Sequence, residues 1–285
     1  MEKNGKGKLY KQDTDLFTEL VFDGEFLDGK RLNGIVKLGC EYDEDDYKEI
    51  YLEGKDEGKY EGEYLNGRRN GKGKKYYFDR SLQFKGEFLN GKIWDGKGYN
   101  KLGEVEFEIK DGKGYIKEYY PNDKLKYEGE YLNGKRNGKG KEYYDNGKLK
   151  FEGEYLNGQR NEKGKKFNLN GKLKFEGEYI NGKKNGKGKE YNNEGDLLFE
   201  GEYLNGERNG KAKDYNYKGQ LIFEGEYLTG ERNGKGKEYD YNGQLIFEGE
   251  FLNGIKWNGK GKEYNFFGNL LFEGEYLNGE KFIKN

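Results

Sequence analysis

Leu149-Lys150-Phe151-Glu152-Gly153-Glu154-Tyr155-Leu156-Asn157-Gly158 is the stretch whose reading decides the fold. Leu149, Phe151, Gly153 and Tyr155 share one parity, while Lys150, Glu152 and Glu154 take the other. Strict alternation of this kind predicts a strand with one apolar and one solvated face. Asn157-Gly158 follows, a dipeptide that accepts positive φ and gives the strongest short-range hairpin signal. The return strand, read in the preceding copy, is Gly138-Lys139-Gly140-Lys141-Glu142-Tyr143-Tyr144, and Asp145-Asn146-Gly147 turns the chain again. Two strands and two glycine turns leave no room for a helix.

The motif recurs. The glycine of Glu-Gly-Glu falls at Gly129, Gly153, Gly177, Gly201, Gly225, Gly249 and Gly274, five steps of 24 and one of 25. A fixed short period means one supersecondary unit copied and stacked. The expected fold is all-β: an elongated single-sheet solenoid of stacked antiparallel hairpins, about eleven of them by the repeat arithmetic.

Composition sets limits. Apolar residues are 32% of the 285 and charged residues 38%, a balance that in other chains signals disorder. Here aromatics reach 16%, and 53 basic residues alternate in register with 54 acidic ones, so order is expected. A net charge of −1 argues against nucleic acid, which calls for a basic patch, and against strong attraction to anionic lipid. The single cysteine, Cys40, fits a reducing compartment. The start Met-Glu-Lys-Asn-Gly has no apolar run of a signal peptide, and no stretch approaches the length of a membrane-spanning helix, so a cytoplasmic protein is expected.

Glycine inside a strand weakens it unless something needs the space. Gly138 and Gly140 lie where a neighbouring ring can rest on the backbone, so Phe151 and Tyr155 of successive copies are expected to form two aromatic ladders over a glycine floor. Gly140 and Tyr143 are three apart and cannot both face inward on a regular strand. Either a bulge intervenes, or Tyr143 faces outward and Tyr144 inward; Asn192 and Asp240 at the Tyr144 station favour the bulge. Glu-x-Glu on one strand and Lys-x-Lys on the next predict cross-strand ion pairs that set register.

The pattern Tyr/Phe-Glu-Gly-Glu-Tyr-x-Asn-Gly-x-x-Asn-Gly-x-Gly closely resembles the MORN repeat (membrane occupation and recognition nexus). The resemblance is strong over 60–100 and from 127 onward, and weaker over 1–59 and 101–126. The late aromatic at Tyr143, the step of 24 and Asn146-Gly-Lys-Leu-Lys150 are more similar to the variant form of the repeat, found in bacterial antitoxin-like proteins as well as in eukaryotes. The resemblance implies an elongated twisted sheet and roles in scaffolding, in membrane-associated or cytoskeletal structures and in dimerisation. It implies no single activity; the repeat also accompanies lipid kinases and a lysine methyltransferase, whose domains have no room in this chain.

Two segments are expected: degenerate repeats with an acidic loop over 1–59, and the main array over 60–285, irregular at 101–126. Eroded copies fall at Tyr47–Gly58 and Val105–Tyr120, with the only proline, Pro121, in a turn. Met1–Tyr10 reads as a return strand without its partner, and Phe272–Leu277 as an outgoing strand without its return, its edge guarded by Lys281 and Lys284.

Catalysis is not expected. With no His, one Cys, Ser81 as the only Ser and three Thr, no nucleophile with a histidine base can be assembled. The Glu-x-Glu pairs repeat on a solvated face and read as structural. No zinc ligand set exists, and no cofactor is expected. Asp43-Glu44-Asp45-Asp46 fails the calcium-loop pattern, with Lys48 where glycine and Gly54 where glutamate is required. Two features stand out as partner-binding candidates. Leu198, Ile222, Ile246 and Leu271 replace the lysines of earlier copies and share parity with Leu204, Leu228, Leu252 and Leu277, so apolar rows are expected to dock a partner or a second copy, unless twist covers them. Trp94 and Trp257 sit in turns one residue longer than the rest, to anchor a partner or to cover the widened turn. The favoured role is a non-enzymatic scaffold holding another protein, or itself as a homodimer, on its aromatic-lined side or its Leu/Ile rows, in the cytoplasm and peripheral to membrane or cytoskeleton. A phosphoinositide-directed recruitment module and an antitoxin-like inhibitor are the alternatives.

Overall fold

The fold is taken from a computed structural model, which describes residues 4–14, 17–28, 30–36, 60–77, 79–120 and 122–283. The eroded copy expected at Tyr47–Gly58, the acidic run Asp43–Asp46, Cys40, Pro121 and Lys284 lie outside the described residues. The chain divides into two compact units, Met1–Lys148 and Leu149–Asn285. The first carries β1 (Gly5–Thr14), β2 (Phe17–Leu27), β3 (Lys30–Val36), β4 (Tyr60–Leu65), β5 (Arg68–Tyr76), β6 (Leu82–Leu89), β7 (Lys92–Tyr99), β8 (Val105–Lys110), β9 (Lys113–Tyr119), β10 (Leu125–Leu132) and β11 (Lys135–Tyr143). The second carries β12 (Leu149–Leu156), β13 (Gln159–Phe167), β14 (Leu173–Ile180), β15 (Lys183–Tyr191), β16 (Leu197–Leu204), β17 (Glu207–Tyr215), β18 (Leu221–Leu228), β19 (Glu231–Tyr239), β20 (Leu245–Leu252), β21 (Ile255–Tyr264), β22 (Leu270–Leu277) and β23 (Glu280–Phe282). Within each unit every strand pairs antiparallel with the next, an open meander of hairpins with no helix among the described residues.

From β4 onward the hairpins close on two-residue turns with both φ values positive, as Asn205 and Gly206 show with φ 53° and 102°. That geometry matches the right-handed twist of the strands and explains the Asn-Gly dipeptide. One step further in, Tyr203 pairs with Arg208 and Gly201 with Ala212, so Asn209, Gly210 and Lys211 face Glu202 alone. Gly210 turns this bulge at φ 87°, and the Glu202 carboxylate folds over the space a side chain would occupy there.

The core of each repeat is one ring on two glycines. Gly153 pairs with Gly164, and a β-carbon added at Gly153 would lie 2.9 Å from Phe151 Cζ and 2.7 Å from the Gly164 α-carbon. Gly140 lies under Tyr127 in the same way, as expected. Gly138 does not: it is a bulge glycine at φ 79°, covered by the Glu130 carboxylate and not by a ring. The rings form one zigzag. Phe175 meets Tyr179 of its own strand and Tyr203 of the next hairpin, both edge to face at 5.4 Å, and Phe199 meets Tyr203 and Tyr227 likewise at 5.4 and 5.7 Å. Such pairs add about 0.5–1.5 kcal/mol each beyond area burial, which lets a single sheet hold its shape.

Several expectations change here. The pairing Tyr127–Glu142, Glu128–Lys141, Gly129–Gly140 is unbroken, and the Tyr143 hydroxyl donates to Glu128 at 2.6 Å, so Tyr143 faces outward without a bulge before it. Tyr191 and Tyr215 repeat this with Glu176 and Glu200. The irregularity sits in the following strand: Glu190 pairs with Phe199 and Tyr191 with Leu197, leaving Leu198 as the extra residue. Phe272–Leu277 does have a return strand, the short β23, and Lys281 on that last strand pairs with Glu263 at 2.6 Å. The eroded copy at Val105–Tyr120 keeps its hairpin but changes its filling. Phe107 packs on Gly98, and Ile116 stands opposite Gly129 where other copies have glycine. Ile109 and Ile116 join Tyr60, Phe84 and Phe88 in one buried cluster.

Candidate functional site

Alternation gives the sheet of each unit two unlike faces. On one, lysines of Lys-x-Lys lie opposite glutamates, as Lys189 does between Glu176 and Glu200, whereas Lys74 lies between Glu61 and Lys85. The ion pairs Lys213–Glu224 (3.6 Å), Lys237–Glu248 (3.1 Å) and Lys262–Glu273 (2.9 Å) repeat once per hairpin, as the sequence predicts. Exposed pairs of this kind contribute about 0–1 kcal/mol each and chiefly hold register.

The other face carries the rings, and the rings are roofed. Arg160, Lys184, Arg208 and Arg232 lie 4.2, 4.4, 3.9 and 4.2 Å from the centroids of Phe151, Phe175, Phe199 and Phe223. Between the cations stand carboxylates, so that Lys184, Glu190, Arg208, Asp214, Arg232, Glu238 and Lys256 form one continuous alternating row. Burial alone raises the Glu190 pKa, but hydrogen bonds from Arg208 and Lys184 outweigh it and hold the carboxyl below its usual value. On the opposite face burial pushes up the Tyr215 hydroxyl, and its bond to Glu200 adds to that. The ring face is therefore polar outside and apolar within; the rings themselves are not an open binding surface.

The predicted apolar residues divide into two sets. Leu204, Leu228, Leu252 and Leu277 recur half-exposed beside the Asn-Gly turns, with Leu156 and Ile180 before them. Leu198, Ile222 and Ile246 are the extra residues of the bulges near the opposite strand ends and are half-buried, whereas Leu271 is 67% exposed. The first set sits beside the turns at the far end of these strands and the second in the bulges at their start. Trp94 and Trp257 are half-buried. Their turns are no longer than the others, since Leu89–Lys92 and Leu252–Ile255 pair across the same two residues. Each Trp is instead a single-residue bulge that replaces the three-residue one, and Leu32 holds the same place between Arg31 and Asn33. A β-carbon at Gly112 would lie 2.7 Å from the Trp94 ring and one at Gly279 3.6 Å from the Trp257 ring, so each ring covers the next hairpin's turn.

Sequence reading missed one group. The turns opposite the Asn-Gly edge are closed by Asn or Asp, as Asn216 Oδ1 accepts from the backbone N of Lys218 and Gln220 at 2.9 and 3.1 Å. The residue after that cap projects: Tyr217, Tyr241 and Phe266 at three successive turns, with Phe267 beside the last. Phe266 is 97% and Phe267 84% exposed. The signal was present as large rings inside polar turns, hidden because the repeat's own aromatics dominate the pattern.

Among the described residues no His, Cys, Asp and Glu group is placed to hold a metal ion, and no helix is long and apolar enough to cross a membrane. The MORN repeat model matches residues 60–81, 127–148, 151–167, 175–196 and 199–213, and the MORN repeat variant matches 112–133, 163–181 and 232–253. The chain belongs to the MORN-repeat proteins, whose repeats are generally non-catalytic binding modules; no catalytic domain is identified in it. Among curated proteins none matches. Two solved structures are similar at low level. One, a TcdB2-TccC3 without its hypervariable C-terminal region, shows 10% identity, TM-score 0.15, and coverage of 97% of this chain and 21% of that one. The other, TcdB2-TccC3-TEV, shows 11% identity, TM-score 0.15, and coverage of 95% and 15%. The chain thus spans about a fifth or less of either, and neither likeness carries an argument.

Proposed function

We propose that this protein is a non-enzymatic scaffold that binds another protein, or a second copy of itself, along the exposed apolar margins of its second unit. The observation that carries the reading is the row Tyr217, Tyr241, Phe266 and Phe267 at consecutive turns. Successive turns stand about 9.5 Å apart, two strand spacings, so the rings make a stripe and not isolated contacts. Exposed apolar patches of this extent mark interaction surfaces. The ring face supports a binding role less, because its aromatics are already roofed by the ion row. Cys40 as the only cysteine supports a cytoplasmic setting, and membership of the family supports a place beside membrane or cytoskeletal structures.

A lipid-directed reading has one observation of its own, the exposed Phe266–Phe267 pair, since aromatic rings favour the bilayer interface. The test uses the full chain and a variant with Tyr217, Tyr241, Phe266 and Phe267 all changed to Ser. Sedimentation across a concentration range and side-by-side affinity capture from the native cell should lose a specific associate in the variant. Flotation with neutral and phosphoinositide-containing liposomes at two salt levels separates the lipid reading. Identical sedimentation and identical capture would sink the scaffold proposal.

A further inference from the structure

The charge row over the rings obeys a rule at one station. The residue before the outward aromatic of a return strand is acidic: Glu118, Glu142, Glu190, Asp214, Glu238 and Glu263. Tyr131 donates to Glu118, Tyr227 to Asp214 and Tyr276 to Glu263, each Tyr standing 13 residues on, while Phe251 takes that place after Glu238. A cation 18 residues on pairs with it, as Arg136 does with Glu118, Arg208 with Glu190 and Arg232 with Asp214. At Glu190, Asp214 and Glu238 a second cation, 6 residues back, reaches it from the other side: Lys184, Arg208 and Arg232; Gly112 and Trp257 hold that place before Glu118 and Glu263.

In β13 that station is Lys166. The same register sets Tyr179, Lys184 and Arg160 around it, and it pairs across the sheet with Phe151 and Phe175. Arg160 and Lys184 are fixed over those two rings at 4.2 and 4.4 Å. Burial pushes the Lys166 ammonium below its usual pKa, and Arg160, Lys174, Lys184 and Lys150 push it further the same way. Glu162, the exposed carboxylate of the same strand, makes no ion pair with it. Lys75 also replaces the carboxylate in its own strand, but the residue 18 on is Ile93, so the cations do not converge there.

We propose that Lys166, with Arg160 and Lys184, is the docking site for a carboxylate side chain of a protein partner. The partner's Asp or Glu takes the place that the following repeats fill with Glu190, Asp214 and Glu238. A carboxylate is the fitting ligand because the flanking donors keep the spacing that receives one in those repeats, and charge-assisted bonds to it are the strong class. The inference rests on the scaffold reading only in taking the partner to be a protein.

The test measures fluorescence anisotropy of a labelled hexaglutamate peptide with the full chain, with Lys166→Glu, with the matched reversal Lys218→Glu, and with the apolar-margin variant above. Wild type, Lys218→Glu and the margin variant should bind alike, and Lys166→Glu should bind about tenfold more weakly or worse. Because it restores the row, Lys166→Glu should also melt about 2 °C or more above wild type. Equal binding by Lys166→Glu, an equal loss in Lys218→Glu, or a lower melting temperature would overturn the site. So would Lys166-dependent flotation with phosphatidylinositol bisphosphate vesicles in the absence of peptide binding, which assigns the station to lipid. A margin variant that fails in association yet binds hexaglutamate normally separates failure of the scaffold reading from failure of this one.

Discussion

Gly177 and Gly188 face each other across β14 and β15, and they are not equivalent. A β-carbon at Gly177 would lie 2.6 Å from both the Gly188 α-carbon and the Lys187 carbonyl oxygen, which are backbone atoms that cannot yield. At Gly188 the obstacle is the edge of the Phe175 ring, 2.6 Å away at Cε2, with Tyr203 at 3.2 Å. The equivalent of Gly188 in β17 is Ala212, which is buried against the rings, so a methyl group is accommodated there. Gly177→Ala is therefore expected to cost about 3 kcal/mol or more and Gly188→Ala nearer 1 kcal/mol, the two ends of the overpacking range. Urea denaturation of both variants checks the order; equal costs would contradict the backbone-collision account. Sequence reading found Gly140, the ring-covered glycine, because a glycine inside a strand calls for a neighbouring ring to rest on it. It misassigned Gly138, since a bulge glycine and a floor glycine look alike until the register is known.

At the scale of the hairpin, turn chemistry and bulges divide the work. Asn-Gly closes the loop, and the Asn-Gly-Lys bulge then gives the strand the kink that lets the acidic side chain fold over its glycine. The charge row adds a pH dependence. Glu190, Glu118 and Glu263 keep folded-state pKa values below their usual 4.5. For the first two the bonds from Arg and Lys or Tyr overcome burial; for Glu263 Lys281 and Tyr276 act first. A depressed carboxyl pKa stabilises the fold fully above the unfolded value and loses that contribution as pH falls through the folded one. The urea midpoint should thus stay level from pH 7 to about pH 5 and drop below about pH 4, and Glu190→Gln should show a shallower drop. A midpoint independent of pH down to the acid range would remove the row from the account. The Glu–Lys pairs of the opposite face were legible as alternation. The row over the rings was not, because its members lie 6 and 18 residues apart and meet only once the bulges set the register.

Each unit is a chain of nearest neighbours, every strand paired with the next, and core rings such as Phe175 and Phe199 touch their own hairpin and the one after. Stability in such an array is close to a sum of repeat and interface contributions. Hydrogen exchange on Gly177→Ala should therefore show lost protection concentrated in β13 to β16, with protection in β4 and β5 unchanged. Uniform loss across the molecule would mean one cooperative core in place of a string of small ones.

Residue pattern by itself determined the strands, the turns, the all-β class and the repeat family, because the period of two and the Asn-Gly signal are local properties of neighbouring residues. Tertiary structure alone decided which residues are bulges, and with them the outward face of Tyr143, the covering role of Trp94 and Trp257, the exposed rings at Tyr217, Tyr241 and Phe266, and the place of Lys166 among cations. The physical reason is that one extra residue in one strand of a pair shifts the register and reverses every face beyond it, and that shift is set by pairing between strands and not by the sequence of either one.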